Sequence, residues 1–272
     1  MAWGRTDCGV HASGAVVTLD LSLDEVKAFS KRASTVSLEG ESDATKTARF
    51  LRGVRFACNS GDVVQKETRV ESIVIISVAP VTFDFDARFS ALWKRYVYYI
   101  CAGGGHGPNR GGPFVWSRYS WKFKQPLDLD LMVSAAELLS KKEHNFEWLS
   151  LAQPGELRDP RRRVQLSVEL VPMGRESSLS SLYFLQQSET AAVYKITGTC
   201  DMFLYRMMRR IVAVLVAVGR NIANLDLLKR CVNAHDIEHN FNQEKIQVPR
   251  ELRETAPAKG LCLEHIEYKL NI

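Results

Sequence analysis

The chain of 272 residues has no run able to cross a bilayer: its longest unbroken apolar stretch is Ile211 to Val218, against the ~20 residues a spanning helix needs. No charged-then-apolar secretory signal follows Met1-Ala2-Trp3, which predicts a soluble protein. The six cysteines are scattered, with no Cys-x-x-Cys pair and no histidine at metal-ligand spacing. They read as reduced thiols in an intracellular protein rather than a disulfide framework or zinc site. A strong charge of either sign is also missing, since 36 basic residues face 31 acidic ones for a net +5 and a pI near 8.9. That mild excess is compatible with nucleic acid without requiring it. No repeat period is visible, which excludes a solenoid. Gly103-Gly104-Gly105-His106-Gly107 lacks both a following helix pattern and a closing Gly-Lys-Ser/Thr, so it reads as a loop rather than a phosphate cradle.

What is present alternates between strand and helix. Ala15 to Leu21, Glu71 to Ala79, Lys94 to Ile100, Arg163 to Val171, Ala191 to Thr199 and Gly260 to Lys269 read as strands, rich in β-branched or aromatic residues or alternating in polarity. Asp24 to Arg32 reads as a short helix. Leu129 to Lys142 reads as an amphipathic one with Leu131, Ala135, Leu138 and Leu139 on one face. Ser37 to Lys46 and the serine-rich Arg175 to Gln187 read as loops. The expected class is α+β, a largely antiparallel sheet flanked by helices. Gly103 to Pro113 is the expected boundary between an N-terminal part (1–102) and a C-terminal part (114–272).

Three places carry chemistry. Gly4-Arg5-Thr6-Asp7-Cys8-Gly9-Val10-His11-Ala12 puts a carboxylate and a guanidinium between glycines that allow a sharp turn. Asp7 either caps that turn through its own backbone or acts on a bound molecule. Tyr96 and Tyr98 share one strand face, so period alone does not separate a functional phenol from a core aromatic. The helix Phe203 to Arg220 is apolar nearly all round and therefore buried. Arg209 shares a face there with Tyr205, Val212, Ala213 and Val216. A guanidinium so placed either reaches solvent beside Arg206 and Arg210 or needs a carboxylate, for which Asp7 is the natural candidate. His11 reads as a structural hydrogen-bond partner. A metal-dependent hydrolase built on Asp7 and His11 would lack further ligands. Arg158, Arg161, Arg162 and Arg163 either track a nucleic-acid backbone or cover a solvated loop.

Gly4 to Ala12 resembles the signature loop of the TruA family of tRNA pseudouridine synthases, whose Gly-Arg-Thr-Asp-x-Gly-Val-His-Ala is matched at each fixed position. Arg95-Tyr96-Val97-Tyr98 resembles the family's Arg-Tyr-x-Tyr strand. Phe203 to Val212 matches its Phe-x-x-x-Met-x-Arg-x-Ile-Val pattern, and Ala256 to Leu263 its closing segment. The resemblance implies a pseudouridine-synthase-like fold of two subdomains around a central cleft. It implies a cofactor-free isomerase that turns uridine into pseudouridine at positions 38 to 40 of the tRNA anticodon stem-loop, working as a homodimer. It makes Asp7 the catalytic aspartate, as nucleophile or as base at the 2′ proton, Tyr96 the active-site tyrosine and Arg209 the partner of Asp7. A phenol at Tyr96 can stack on an extruded base and assist removal of the C5 proton. Arg5 would bind phosphate or help extrude the base, with a surface salt bridge as the plainer alternative. Arg88 in Ala87-Arg88-Phe89-Ser90-Ala91, together with Lys94 and Arg95, would contact RNA, though Arg88 also fits a structural role. Leu261 or Leu263 would wall the uracil or simply fill the core.

Family members carry a strand and helix ahead of this loop, while here Met1 stands three residues before Gly4. The expectation is a fragment or shortened start that exposes a sheet edge. The competing function is then a catalytically weak RNA-binding or tRNA-chaperone protein. Two further departures are the Phe56 to Gly61 stretch, where the family has Asn-x-x-Leu-Pro, and the apparent insertion at Arg175 to Gln187.

Overall fold

The computed structural model describes residues 6–18, 51–53, 55, 74–82, 84–103, 116–151, 159–171, 192–237 and 247–269. The expected helix at Asp24 to Arg32, the loops at Ser37 to Lys46 and Arg175 to Gln187, and the glycine-rich segment beyond Gly103 lie outside them, as do Arg5 and Arg158. The chain divides into two compact units, Gly4–Val16 with Ser90–Lys269, and Met1–Trp3 with Val17–Phe89 and Leu270–Ile272.

The larger unit is built on a six-stranded sheet. Its strands are β1 (His11–Ala12), β2 (Ala91–Ala102), β3 (Trp121–Phe123), β6 (Gln165–Leu170), β7 (Ala192–Cys200) and β8 (Leu261–Tyr268). The order is β1-β8-β2-β7-β6, with β3 paired to the end of β2. Every pair except β1–β8 and β2–β3 is antiparallel. The class is therefore α+β with an antiparallel-dominated sheet. β2, which the sequence groups with the N-terminal part, is the middle strand of this sheet. It bonds β7 along one edge and β8 along the other. A second small sheet pairs β4 (His144–Asn145) with β5 (Arg161–Arg162).

One sheet face carries Tyr98, Ile100, Tyr194 and Ile196, all buried. It packs against α1 (Leu129–Ser140) and α2 (Met207–Gly219). Asp128 caps α1 by accepting from the Leu131 N–H at 3.0 Å. The buried face of α1 is Met132, Ala135, Ala136 and Leu139, one position round from the expected stripe, with Leu131 and Leu138 at its margin. α2 is buried on nearly every side, as its all-round apolarity predicts. Met208 sits so close over Gly198 of β7 that a Cβ there would meet its sulfur at 2.5 Å.

Several expectations need correction. α2 starts at Met207 rather than Phe203, because Arg206 takes a left-handed backbone (φ 59) that no right-handed helix can include. Of Ala15 to Thr18 only Val17 makes a bridge, and the strand here is formed by the motif's own last two residues, His11–Ala12. Residues 74–80 are not in a strand, and Val74 and Ile76 are largely exposed. Apolar β-branched residues favour a strand, but a strand needs a partner edge. α3 (Leu225–Ile237) has no counterpart among the expected helices. At its end the Asp236 carboxylate accepts from the Asn145 N–H (2.9 Å), His144 Nδ1 (2.8 Å) and Lys142 Nζ (3.1 Å). Burial works against the ionised form, but these donors outweigh it and hold the Asp236 pKa below the ordinary carboxylate value. The latch fastens the β4–β5 ribbon to α3. The five described cysteines are free thiols. Among the described residues no helix is long and apolar enough to cross a membrane.

In the smaller unit, residues 51–53 and 55 are helical. The Ala87 N–H donates to Thr18 Oγ1 at 3.0 Å, and Asp86 Oδ1 accepts from the Arg88 and Phe89 N–H groups.

Candidate active site

Asp7 opens a tight turn closed by the Val10 N–H donating to its carbonyl at 3.1 Å. Gly9 holds φ +79, the conformation required at the third position of a type II turn. The chain then runs beside β8 with His11 opposite Cys262 and Ala12 opposite Leu263. The Leu263 carbonyl accepts from both the Ser13 and Gly14 N–H groups, at 2.9 and 3.2 Å. Around Glu264 the β8 register shifts against β2, so Arg95 faces His265 and Tyr96 faces Leu263. That bulge brings the Glu264 carbonyl to 2.3 Å from where a Gly14 Cβ would stand, so only glycine fits.

Arg209, on the first turn of α2, meets this loop from the other side. Its Nη1 donates to Asp7 Oδ2 at 3.3 Å, and its Nε to the Ala256 carbonyl at 2.7 Å. Both side chains are largely buried, 13% exposed for Arg209 and 21% for Asp7. The Ala256 N–H in turn donates to the Arg209 carbonyl at 3.2 Å. The guanidinium is thus held at two points and presents a fixed edge to the carboxylate.

Tyr96 lies on the same sheet face as Tyr98, with Leu263 as its cross-strand neighbour. Its ring meets Phe203 edge-on, centroids 5.1 Å apart at 87°. Burial, and next the negative charge of Asp7, push its phenol up to about 12. Tyr98 differs: its hydroxyl donates to the Pro257 carbonyl at 2.8 Å and the side chain is fully buried, so it is a core aromatic.

The structure thus brings together Asp7, Arg209, Tyr96 and Leu263. Lys94 shares the Tyr96 face, whereas Arg95 points the opposite way, 3.8 Å from Glu264 and stacked over Trp93. Arg88 belongs to the smaller unit and lies over the Phe89 ring. His11, expected as a structural hydrogen-bond partner, packs against Tyr119, and its buried Nε2 has no hydrogen-bond partner. Arg161 and Arg162 bond backbone carbonyls of Asp236 and of Met202, Asp159 and Arg161. Among the described residues no three His, Cys, Asp or Glu side chains gather as metal ligands. The Ala256 carbonyl and Phe203 went unassigned by sequence reasoning. Phe203 carried a signal as the first position of the helix pattern, while a backbone carbonyl carries none.

A family model described as tRNA pseudouridine synthase matches residues 143–269, which include Arg209 and Leu263. The tRNA pseudouridine synthase A of Moorella thermoacetica is 28% identical over 98% of this chain and 81% of its own length. That of Bordetella parapertussis is 29% identical over 97% and 73%, and that of Methylorubrum populi 33% over 63% and 53%. Over nearly its whole length the chain is similar to the tRNA pseudouridine synthase A of the first two of these bacteria. In that frame the turn from Asp7 to Val10 and the first turn of α2, remote in sequence, are the two halves of one carboxylate–guanidinium site.

Proposed function

We propose that the chain isomerises uridine to pseudouridine in the anticodon stem-loop of tRNA, at positions 38 to 40, with Asp7 as the reacting carboxylate. The observation that carries this is the buried Asp7–Arg209 pair beside Tyr96. The isomerisation breaks the N1–C1′ bond, turns the base over and joins C5 to C1′, after which the C5 proton leaves. Asp7 serves it either by attacking C1′ or by taking the 2′ proton. Arg209 holds that carboxylate in place, donating to it from a guanidinium that is itself fixed on the Ala256 carbonyl. Tyr96, with a phenol at about 12, stays protonated at neutral pH. It stacks on the extruded base and hydrogen-bonds it, and takes the C5 proton only while passing on its own. Leu263 forms an apolar wall behind the ring. Lys94, Arg95, Arg88 and Arg5 are proposed RNA contacts, and a homodimer is the proposed assembly.

The test is tritium release from tRNA labelled at uridine C5, comparing this chain with Asp7→Ala. Release by the parent and none by the variant is expected. No release from either, with tRNA still bound, would turn the reading to an RNA-binding or tRNA-chaperone protein.

A further inference from the structure

Three remote parts of the chain converge on the short stretch Ala256 to Gly260. Arg209 of α2 bonds Ala256 twice, its Nε donating to the Ala256 carbonyl at 2.7 Å and its own carbonyl accepting from the Ala256 N–H at 3.2 Å. Tyr98 of β2 donates its hydroxyl to the next carbonyl, that of Pro257, at 2.8 Å. The Asp7 turn also rests here, since a Cβ on Gly9 would stand 3.4 Å from the Ala258 Cβ. Past Gly260 the chain enters β8, whose first residue, Leu261, lies opposite Tyr98. All of these residues belong to the larger unit.

Pro257 joins the two carbonyls into one stiff piece. It has no N–H to anchor the Ala256–Pro257 peptide, and its ring locks φ, here −54. The soft rotation left between the Ala256 and Pro257 carbonyls is ψ of Pro257, so whatever holds the Pro257 carbonyl fixes both. The Gly260 N–H reaches that carbonyl at a long 3.4 Å. The Tyr98 hydroxyl, at 2.8 Å, is the stronger hold. Gly260 leaves room for it: a Cβ there would meet the Tyr98 ring at 2.5 Å and its hydroxyl oxygen at 2.8 Å. Tyr98 is fully buried, and a phenylalanine would fill the same space, so packing alone does not ask for a hydroxyl. Burial raises the Tyr98 phenol while the charge of Arg209 lowers it, as a guanidinium close to this ring would.

We infer that Tyr98 is a positioning residue for the Asp7–Arg209 pair. Its hydroxyl fixes the Ala256–Pro257 segment, and the Ala256 carbonyl in turn sets which edge of the guanidinium faces Asp7. The effect on turnover rests on the synthase reading; the hold on Arg209 does not. Tyr98 is buried and away from any surface RNA could reach, so it acts on the reacting geometry and not on RNA affinity. A displacement that reaches a reacting group costs up to about a hundredfold in rate. With Arg209 still bonded to Ala256, loss of the hydroxyl should cost about tenfold.

The test compares the full chain with Tyr98→Phe and with Asp128→Ala, which removes the α1 cap and lowers stability away from the site. Two quantities are read: tritium release from tRNA labelled at uridine C5, and hydrogen exchange of the Arg209 Nε–H by NMR, its signal assigned with Arg209→Lys. Tyr98→Phe should lower kcat about tenfold at unchanged KM and speed the Arg209 Nε–H exchange. Asp128→Ala should lower Tm and move neither quantity. If kcat or the exchange rate of Tyr98→Phe matches the parent, the proposal is overturned. It is overturned as well if Asp128→Ala shifts both as far, because the effect is then one of global stability. The two readings fail separately. Faster exchange in Tyr98→Phe with no release from the parent supports the hold on Arg209 and counts against the synthase. Release from the parent with exchange unchanged in Tyr98→Phe sinks the positioning role alone.

Discussion

Tyr96 shows what burial does to a single residue. Its phenol is pushed up to about 12, chiefly by burial and secondly by Asp7. Burial also raises Tyr98 and Tyr99, against the opposing charges of Arg209 and Lys195. Between the ordinary tyrosine value near ~10 and the native one, the unfolded chain gives up the proton while the folded chain keeps it. Stability is therefore fully present below that window and falls as pH rises through it. For Tyr96 the loss is on the order of 3 kcal/mol by the top of the window. Urea unfolding at stepped pH should show this decline, and Tyr96→Phe should make it shallower while leaving stability at pH 7 nearly unchanged. A decline identical in Tyr96→Phe would mean the phenol is solvated. At this scale the sequence left Arg209 two fates, solvent beside Arg206 and Arg210 or a carboxylate, and the fold gives it the carboxylate of Asp7. The Ala256 carbonyl that takes the second donor was not readable, since any loop could have supplied it.

Among the elements, the short strand β1 decides where the site stands. It is two residues long and lies at the sheet edge, so it adds little to global stability. Yet it ties the Asp7 turn to the bulge of β8 through Ser13, Gly14 and Leu263. Gly14→Ala would force a methyl into the Glu264 carbonyl and lift the turn away from Arg209. Displacements of this kind cost about a hundredfold in rate. We expect turnover in the tritium assay to fall by about that factor while the melting temperature moves little. Unchanged turnover would show that the turn is held by something other than this contact. The elements read well from sequence were those whose burial follows a period, such as α1, α2 and β8. The Val74–Ile76 run reads as a strand by composition alone, and composition does not name the edge it would pair with.

At the scale of the whole molecule, a net charge of +5 is too small for long-range attraction to dominate, so RNA affinity must come from local arginines. Each phosphate they neutralise releases a counterion, by about 0.7 in the log–log salt slope for a single strand. Filter binding of tRNA between low and physiological salt should give a straight line with a slope of several contacts. A flat line would remove any tRNA role.

The sequence by itself determined the turn at Asp7 to Val10, the central strand, the buried helix with its charged residue, and the α+β class. These follow from backbone sterics and hydrophobic period, which act over a few residues. Tertiary structure alone decided that Asp7 and Arg209, 202 residues apart, meet as an ion pair. It also decided the order β1-β8-β2-β7-β6 and the latch of Asp236 on His144. The reason is physical: a local pattern fixes which side of an element is buried. Which opposite charge meets it depends on where a distant part of the chain returns.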